Sequence, residues 1–262
     1  MPVYDPGPPA SFLQHFDNLP DYTPIRDCFW FDWGTVFYRG RLDGSAKIIC
    51  VASDPGPSER IANRTLVGNA GQRVQGFLKK IGISEKYVCV NGFAYALFPG
   101  KLGKGIKALE RPEQLNWRNS FFDMLKTPSV KAVIAFGAVA QKAIDLWPGK
   151  QGLTVENTFH PSYHTDKPGA EKKMLTDWNR VVTELRAVVP HDPGANANGP
   201  LYGVKFMESD YAPIPSFDLP FGMPAWFGDD SWFRAHRGAN SVGRPAPDDR
   251  HTLRWKAPKI NL

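Results

Sequence analysis

Short apolar runs alternate, through the middle of the chain, with stretches in which apolar residues recur every three or four positions. Lys47-Ile-Ile-Cys-Val-Ala52 is such a run, stopped by Ser-Asp-Pro-Gly-Pro, and reads as a strand closed by a turn. Over residues 69–82, Ala70, Val74, Phe77, Leu78 and Ile81 share one face of a helix. Tyr87-Val-Cys-Val90 predicts a second strand and Lys131 to Phe136 a third. The third leads through Gly137 into a helix carrying Val139, Ala143, Ile144 and Trp147. Val155 to Phe159 is a weaker fourth strand that runs into His160-Pro161. A last helix, about 169–188, places Met174, Leu175, Trp178, Val181, Val182, Leu185 and Val188 on one stripe.

Strands that alternate with helices predict an α/β fold, a three-layer α/β/α arrangement around a central, mainly parallel four-stranded sheet. Residues 46–190 form this expected core. Residues 1–45 read as an irregular amino-terminal extension, with six prolines in the first 30 positions. Residues 191–262 hold nine prolines and seven glycines but also ten aromatics, among them Trp226, Trp232 and Trp255. Disordered tails are poor in aromatics, so this segment is expected to pack on the core as an arm.

With 42% apolar and 22% charged residues the chain has the composition of a folded globular domain, and no run of about 18 apolar residues predicts a membrane span. Met1 to Ala10 has neither a basic start nor an apolar stretch, so a secretory signal is not expected and the cytoplasm is. Cys28, Cys50 and Cys89 form no C-x-x-C pair. Their odd number argues against a disulfide framework and for a reducing compartment. The net charge of +6 is unevenly spread: residues 46–190 hold 21 Lys/Arg against 12 Asp/Glu, an excess of nine. That is the footprint of a polyanion binder, and equally of a protein kept soluble by its charge.

In parallel sheets, ligands gather beyond the carboxyl ends of the strands. Three polar spots lie there: Ser53 to Ser58, Asn91 onward, and His160 to His164. Asp54 can cap a turn, or position water and stabilise a developing cation. Gly56, between two prolines, marks a tight turn or a close approach of ligand to backbone. Asn91 presents a donor and an acceptor on one flat amide, which suits a base edge as well as a turn. His160 offers an imidazole beside the Ser162 hydroxyl. An Asp, an Asn and a His at three strand ends of one sheet form a candidate constellation.

Asp54-Pro-Gly-Pro-Ser-Glu59 and Leu66-Val-Gly-Asn-Ala-Gly71, followed by Val133-Ile-Ala-Phe-Gly-Ala138 and His160-Pro-Ser-Tyr163, resemble the uracil-DNA glycosylase superfamily. The likeness covers about residues 46–188 and is nearest the branch with G-E-A-P-G, F-V-G-x-A-G and H-P-S. That branch carries an iron–sulfur cluster on four cysteines; this chain has three, so no cofactor is expected. Asp54 stands where that branch has alanine, as in the G-Q-D-P-Y motif of another branch, whose tyrosine is here Gly56. Leu66 replaces the phenylalanine expected to stack on the base.

The resemblance implies a monofunctional hydrolase of base excision repair that flips uracil out of DNA and leaves an abasic site. Under it, Asp54 and His160 are catalytic, and Asn91, Gly56, Leu66 and Phe93 surround the uracil, with Tyr95 and Phe98 as further aromatic candidates. Ser58, Ser162 and Tyr163 contact DNA; Lys101, Lys104, Lys107, Arg111 and Arg118, in an insertion after the second strand, are candidates for part of the phosphate grip and equally for a solvated face. The expected partner is uracil-containing DNA, bound by a monomer. A glycosylase for other deaminated or mismatched bases, and a non-catalytic binder of uracil-containing DNA, remain as alternatives.

Overall fold

The computed structural model of the chain describes residues 3–32, 34–163 and 167–229. Helix α1 (Ala10–Asp17) precedes strands β1 (Phe29–Trp30), β2 (Tyr38–Gly40) and β3 (Ile48–Ala52). Helices α2 (Pro57–Ala62) and α3 (Asn69–Ile81) lead to strands β4 (Tyr87–Asn91) and β5 (Ala96–Leu97). Helices α4 (Leu102–Ala108) and α5 (Pro112–Leu125) follow. Strand β6 (Ala132–Phe136), helix α6 (Ala138–Asp145), strand β7 (Thr154–Thr158) and helix α7 (Ala170–Val188) complete the regular elements. Among the described residues no helix is long and apolar enough to cross a membrane.

The central sheet has the order β2-β4-β3-β6-β7. β4, β3, β6 and β7 are parallel and are the four expected strands; β2 adds an antiparallel edge on β4, so the sheet has five strands. Alternation along the parallel strands separates the two faces. Ile49 and Val51, Val88 and Val90, and Val133 and Ala135 pack in one cluster with side chains of α1, α5 and α6. Ile48 and Cys50, Tyr87 and Cys89, and Ile134 and Phe136 point the other way, onto α3 and α7. Every residue of β3, β4 and β6 is buried, because helices cover both faces. This is the three-layer α/β/α arrangement.

The segment expected to be irregular contributes α1 and the edge strand. β2 escapes a local reading because its central residue is Arg39, fully buried inside the protein. Its guanidinium reaches Asp218 Oδ2 at 2.8 Å, 179 positions away, and also the Thr65 carbonyl and the Gln75 and Tyr87 side chains. Asp218 belongs to the carboxyl-terminal segment, which two further carboxylates also hold. Asp192 takes Lys47 Nζ and the backbone N–H groups of Ser84, Glu85 and Lys86, and Asp210 takes Lys80 Nζ. Trp232, Trp255 and His164 lie outside the described residues. Two positions of the apolar stripes differ from expectation: Val188 is exposed, and Trp147 is buried but lies past the end of α6.

Removing one partner of a buried ion pair leaves the other charge without compensation, at a cost of about 3–5 kcal/mol. Asp218→Ala is therefore expected to lose that much stability in urea denaturation. The double change Arg39→Met with Asp218→Leu should lose less. An Asp218→Ala protein with an unchanged midpoint would mean that the Arg39 pair does not hold the segment in solution.

Candidate active site at the carboxyl edge of the sheet

Strand register brings the three polar spots to one edge. Ala52, the last residue of β3, lies opposite Asn91, the last of β4, while Phe136 of β6 lies opposite Thr158 of β7. Asp54, Asn91, Gly137 and His160 thus leave four neighbouring strands in the same direction. The loops are then tied together. Gly92 and Phe93 donate their N–H groups to the carbonyls of Ala52 and Ser53, which locks the Asn91 turn onto the Asp54 turn. Gly137 donates to the Thr158 carbonyl. A Cβ at Gly137 would sit 3.0 Å from the Cβ of His160, and φ there is +83°, so both close approach and backbone shape demand glycine.

Asp54 is anchored on both oxygens. The Ser53 hydroxyl donates to Oδ1 at 2.6 Å and the Leu97 N–H to Oδ2 at 2.9 Å. Burial raises its pKa above the ordinary 3.8 even against these two hydrogen bonds. It does not cap a helix: the residue before α2 is Gly56, with no side-chain cap. Asp54 also reaches, through Leu97, the two-stranded ribbon of β1 and β5.

Asn91 is 8% exposed, and its Nδ2 has no hydrogen-bond partner. An orphaned buried amide donor costs about 1–3 kcal/mol, a price that ligand sites carry until occupied. His160 is fixed in a different way. The Ser162 N–H donates to its Nδ1 at 3.2 Å, so Nδ1 must be the unprotonated nitrogen and Nε2 the N–H. Burial holds the ring's pKa down to about 4, which keeps it neutral through the physiological range. The loop beyond is held by Arg73 of α3, whose Nη1 donates to the Pro161 carbonyl at 2.7 Å. Tyr163 rests its ring on Phe159, centroids 4.5 Å apart.

Glu59 fills the place beside Gly56. A Cβ at Gly56 would lie 2.6 Å from Glu59 Oε2, while Oε1 accepts the N–H groups of Val67 and Gly68 at 2.9 and 3.0 Å. The carboxylate staples the first motif to the second. Ser58 packs at the same junction, its Oγ 3.1 Å from where a Cβ of Gly68 would be. Leu66 takes φ +54°, a left-handed conformation that costs a non-glycine residue about 1–3 kcal/mol. Its carbonyl lies where a Cβ of Gly71 would be, which explains that glycine.

Several expected contacts fall elsewhere. Leu66 is 5% exposed within the α3/α7 cluster and Phe93 is 2% exposed, edge to face with Phe29 at 5.0 Å. Both side chains belong to the core. Arg118 is also internal: it donates to the Leu109 carbonyl, and burial pushes its pKa down to about 10. Lys101 and Lys104 are on the surface and share Asp27 Oδ2 at 3.4 and 3.1 Å, and Arg111 pairs with Glu113. Lys107 is exposed. A cleft beside α7 is lined by Phe159, Lys172, Lys173, Thr176, Asp177 and Arg180, and contains none of Asp54, Asn91 and His160. No group of three or more His, Cys, Asp or Glu among the described residues is arranged to hold a metal.

Glu59 and Arg73 are the positioning residues that sequence reasoning passed over. For Glu59 the available signal was an acid in the first turn of a helix opened by Gly-Pro. Arg73 gave none. Comparison with protein-family models and with curated proteins found no match to this chain.

Proposed function

We propose that the protein is a uracil-DNA glycosylase that hydrolyses the N-glycosidic bond of an extrahelical uracil. The observation that carries this reading is the pair of fixed donors at one sheet edge: the unpartnered Nδ2 of Asn91 and the Nε2–H of a neutral His160. Uracil is bounded by two carbonyl oxygens with an N–H between them. The Asn91 amide donates to O4 and accepts from N3–H, whereas cytosine presents the opposite pattern. His160 donates to O2, where negative charge grows as the bond to the sugar breaks. A neutral donor suits an anionic leaving base because it adds no proton that must later be removed. Asp54 faces the sugar, where its carboxylate stabilises the developing cation and accepts a proton from the attacking water. Water supplies the new C1′–O bond, and the uracil anion is protonated on release.

The test is chromatographic detection of free uracil after incubation with uracil-containing DNA, together with alkali-labile abasic sites. Both are expected. DNA binding without free base would overturn the enzyme and leave a binder in which Asp54 only anchors the Leu97 ribbon. Asn91→Asp is expected to reduce uracil release strongly and to gain a small activity on cytosine. Undiminished uracil release by that variant would assign base reading to another residue. Release of hypoxanthine or other deaminated bases in preference to uracil would move the reading to a different glycosylase specificity.

A further inference from the structure

The ribbon that Asp54 anchors has two unlike faces. Its inner side puts Phe29 into the core against Tyr22 and Phe93. Its outer side leaves Trp30 39% exposed against Phe98, whereas Phe31, just past β1 and 36% exposed, packs with Tyr22 and Tyr95. Trp30 lies 4.3 Å from Phe98, and Phe31 lies 4.7 Å from Tyr95. Leu102, at the start of α4, extends the apolar surface. Large exposed aromatics in tandem are unusual on a soluble surface and mark something that covers them.

Charge indicates what that is. The Lys101 N–H is bonded to the Phe98 carbonyl, Lys104 pairs with Asp27 next to Cys28, and the exposed Arg26 and Lys107 lie close by in sequence. Asp27 and Asp32 oppose these four cations, leaving an excess of two. The backbone keeps this surface next to the candidate site. Phe98 follows Leu97, whose N–H is bonded to Asp54 Oδ2, and the Phe98 N–H is bonded to the Cys28 carbonyl.

We propose that Trp30 and Phe98, with Lys101 and Lys104 beside them in the chain, form a stacking platform for single-stranded DNA. In a duplex the faces of the bases are already stacked on their neighbours and offer nothing to an exposed ring. Unpaired bases offer both faces, and stacking on aromatics tolerates any sequence while lysines track the phosphates. The Lys101 and Lys104 ammonium groups are held in place by Asp27, which a phosphate would replace. The proposal deepens the glycosylase reading and rests on it for the substrate, since it places strand next to Asp54. The binding surface itself can be tested without that chemistry.

The experiment measures fluorescence anisotropy of a uracil-free single-stranded oligonucleotide and of the same sequence as a duplex, with the full chain, across a salt series. Single strand is expected to bind more tightly than duplex. Phe98→Ala and Trp30→Ala should each weaken single-strand binding about five- to a hundredfold, as lost base stacking does, with duplex binding nearly unchanged. Asp27→Asn leaves the fold's interior untouched and should tighten single-strand binding up to about fivefold. Lys101→Gln with Lys104→Gln should lower the salt slope by about 1.4, at roughly 0.7 per contact on a single strand. Tighter duplex binding, equal losses on both forms, or no nucleic-acid binding (the outcome for a face that docks protein) would overturn the platform. Uracil release assayed alongside separates the two ideas: platform-dependent binding without release sinks the glycosylase reading alone, and release with no effect of these variants on single-strand binding sinks the platform alone.

Discussion

Asp54→Asn is expected to slow uracil release by about a hundred- to ten-thousandfold, the range associated with groups that act on protons in the transition state. The exchange keeps the shape of the side chain and an oxygen for the Leu97 N–H, so the ribbon of β1 and β5 should stay in place. What is lost is the charge. Burial raises the Asp54 pKa above 3.8, so the wild-type rate should fall as the pH drops through that raised value. That acid limb should vanish in the variant. The stability consequence has the opposite sign. A folded pKa above the unfolded one means that the folded state binds more protons in this window, so the group's contribution is greatest in acid and is lost as the pH rises through the folded pKa. At neutral pH the buried carboxylate is therefore a cost to folding. Asp54→Asn should melt no lower than the wild type, and a slow but well-folded variant is the expected pattern. Single-turnover rates between pH 4 and 8, with thermal melts of both proteins, provide the check. A rate within about threefold of the wild type, or an unchanged acid limb above the range near pH 4 where His160 takes up its proton, would remove Asp54 from the chemistry.

Three strands were legible because parallel strands covered on both faces must be apolar throughout, and Ile48–Ala52, Tyr87–Val90 and Ala132–Phe136 are; β7, Thr-Val-Glu-Asn-Thr at the sheet edge, gave the weaker signal. The stripes of α3 and α7 were legible for the same reason on a helical period. β2 was not, since Tyr38-Arg39-Gly40 pairs with β4 around a buried arginine whose charge is met by Asp218, and a partner 179 positions away leaves no local trace. α1 was hidden by the surrounding prolines, although Pro9 sits just before its first turn, where proline is tolerated. α5 was not legible because polar and charged residues interrupt its apolar positions, so no clean stripe marks it as a helix. Its Phe121, Phe122 and Leu125 are buried, and so is Arg118.

The candidate site divides along the same line. Asp54, Asn91 and His160 were visible because polar residues at strand ends stand out against apolar strands. What their side chains do was invisible in the sequence. The Asn91 amide is orphaned, the Asp54 carboxylate is anchored by Leu97, and the His160 tautomer is set by one backbone N–H two residues later. Leu66 and Phe93 are packed in the core, and an apolar residue beside a motif is packed or open according to tertiary contacts that its neighbours in sequence do not reveal. Beside Gly56 the space is filled by the Glu59 carboxylate, so the surface next to the first motif is charged rather than aromatic.

His160→Ala is expected to slow uracil release by about a hundred- to a thousandfold, as loss of one preorganised donor to a developing anion does, with DNA affinity little changed. The argument rests on which nitrogen carries the proton. A histidine whose Nδ1 accepts the Ser162 N–H can offer only Nε2–H, and only while the ring is neutral. Protonation would force Nδ1 to face the Ser162 N–H as a donor, so the hydrogen bond and the burial both oppose it. With the folded pKa near 4 against 6.5 for an ordinary histidine, the folded state binds fewer protons than the unfolded chain in that window. The neutral ring's contribution to stability is complete above about pH 6.5 and is lost as the pH falls toward 4. Nitrogen-15 chemical shifts of the His160 ring should accordingly report the Nε2–H tautomer at pH 5 to 7, with the charged form appearing only near pH 4. His160→Ala should lose this acid sensitivity along with the rate. A ring that titrates near 6.5, or a single-turnover rate close to normal in His160→Ala, would mean that charge on the leaving base is met by another group, and the Asn91 amide would be the first to test.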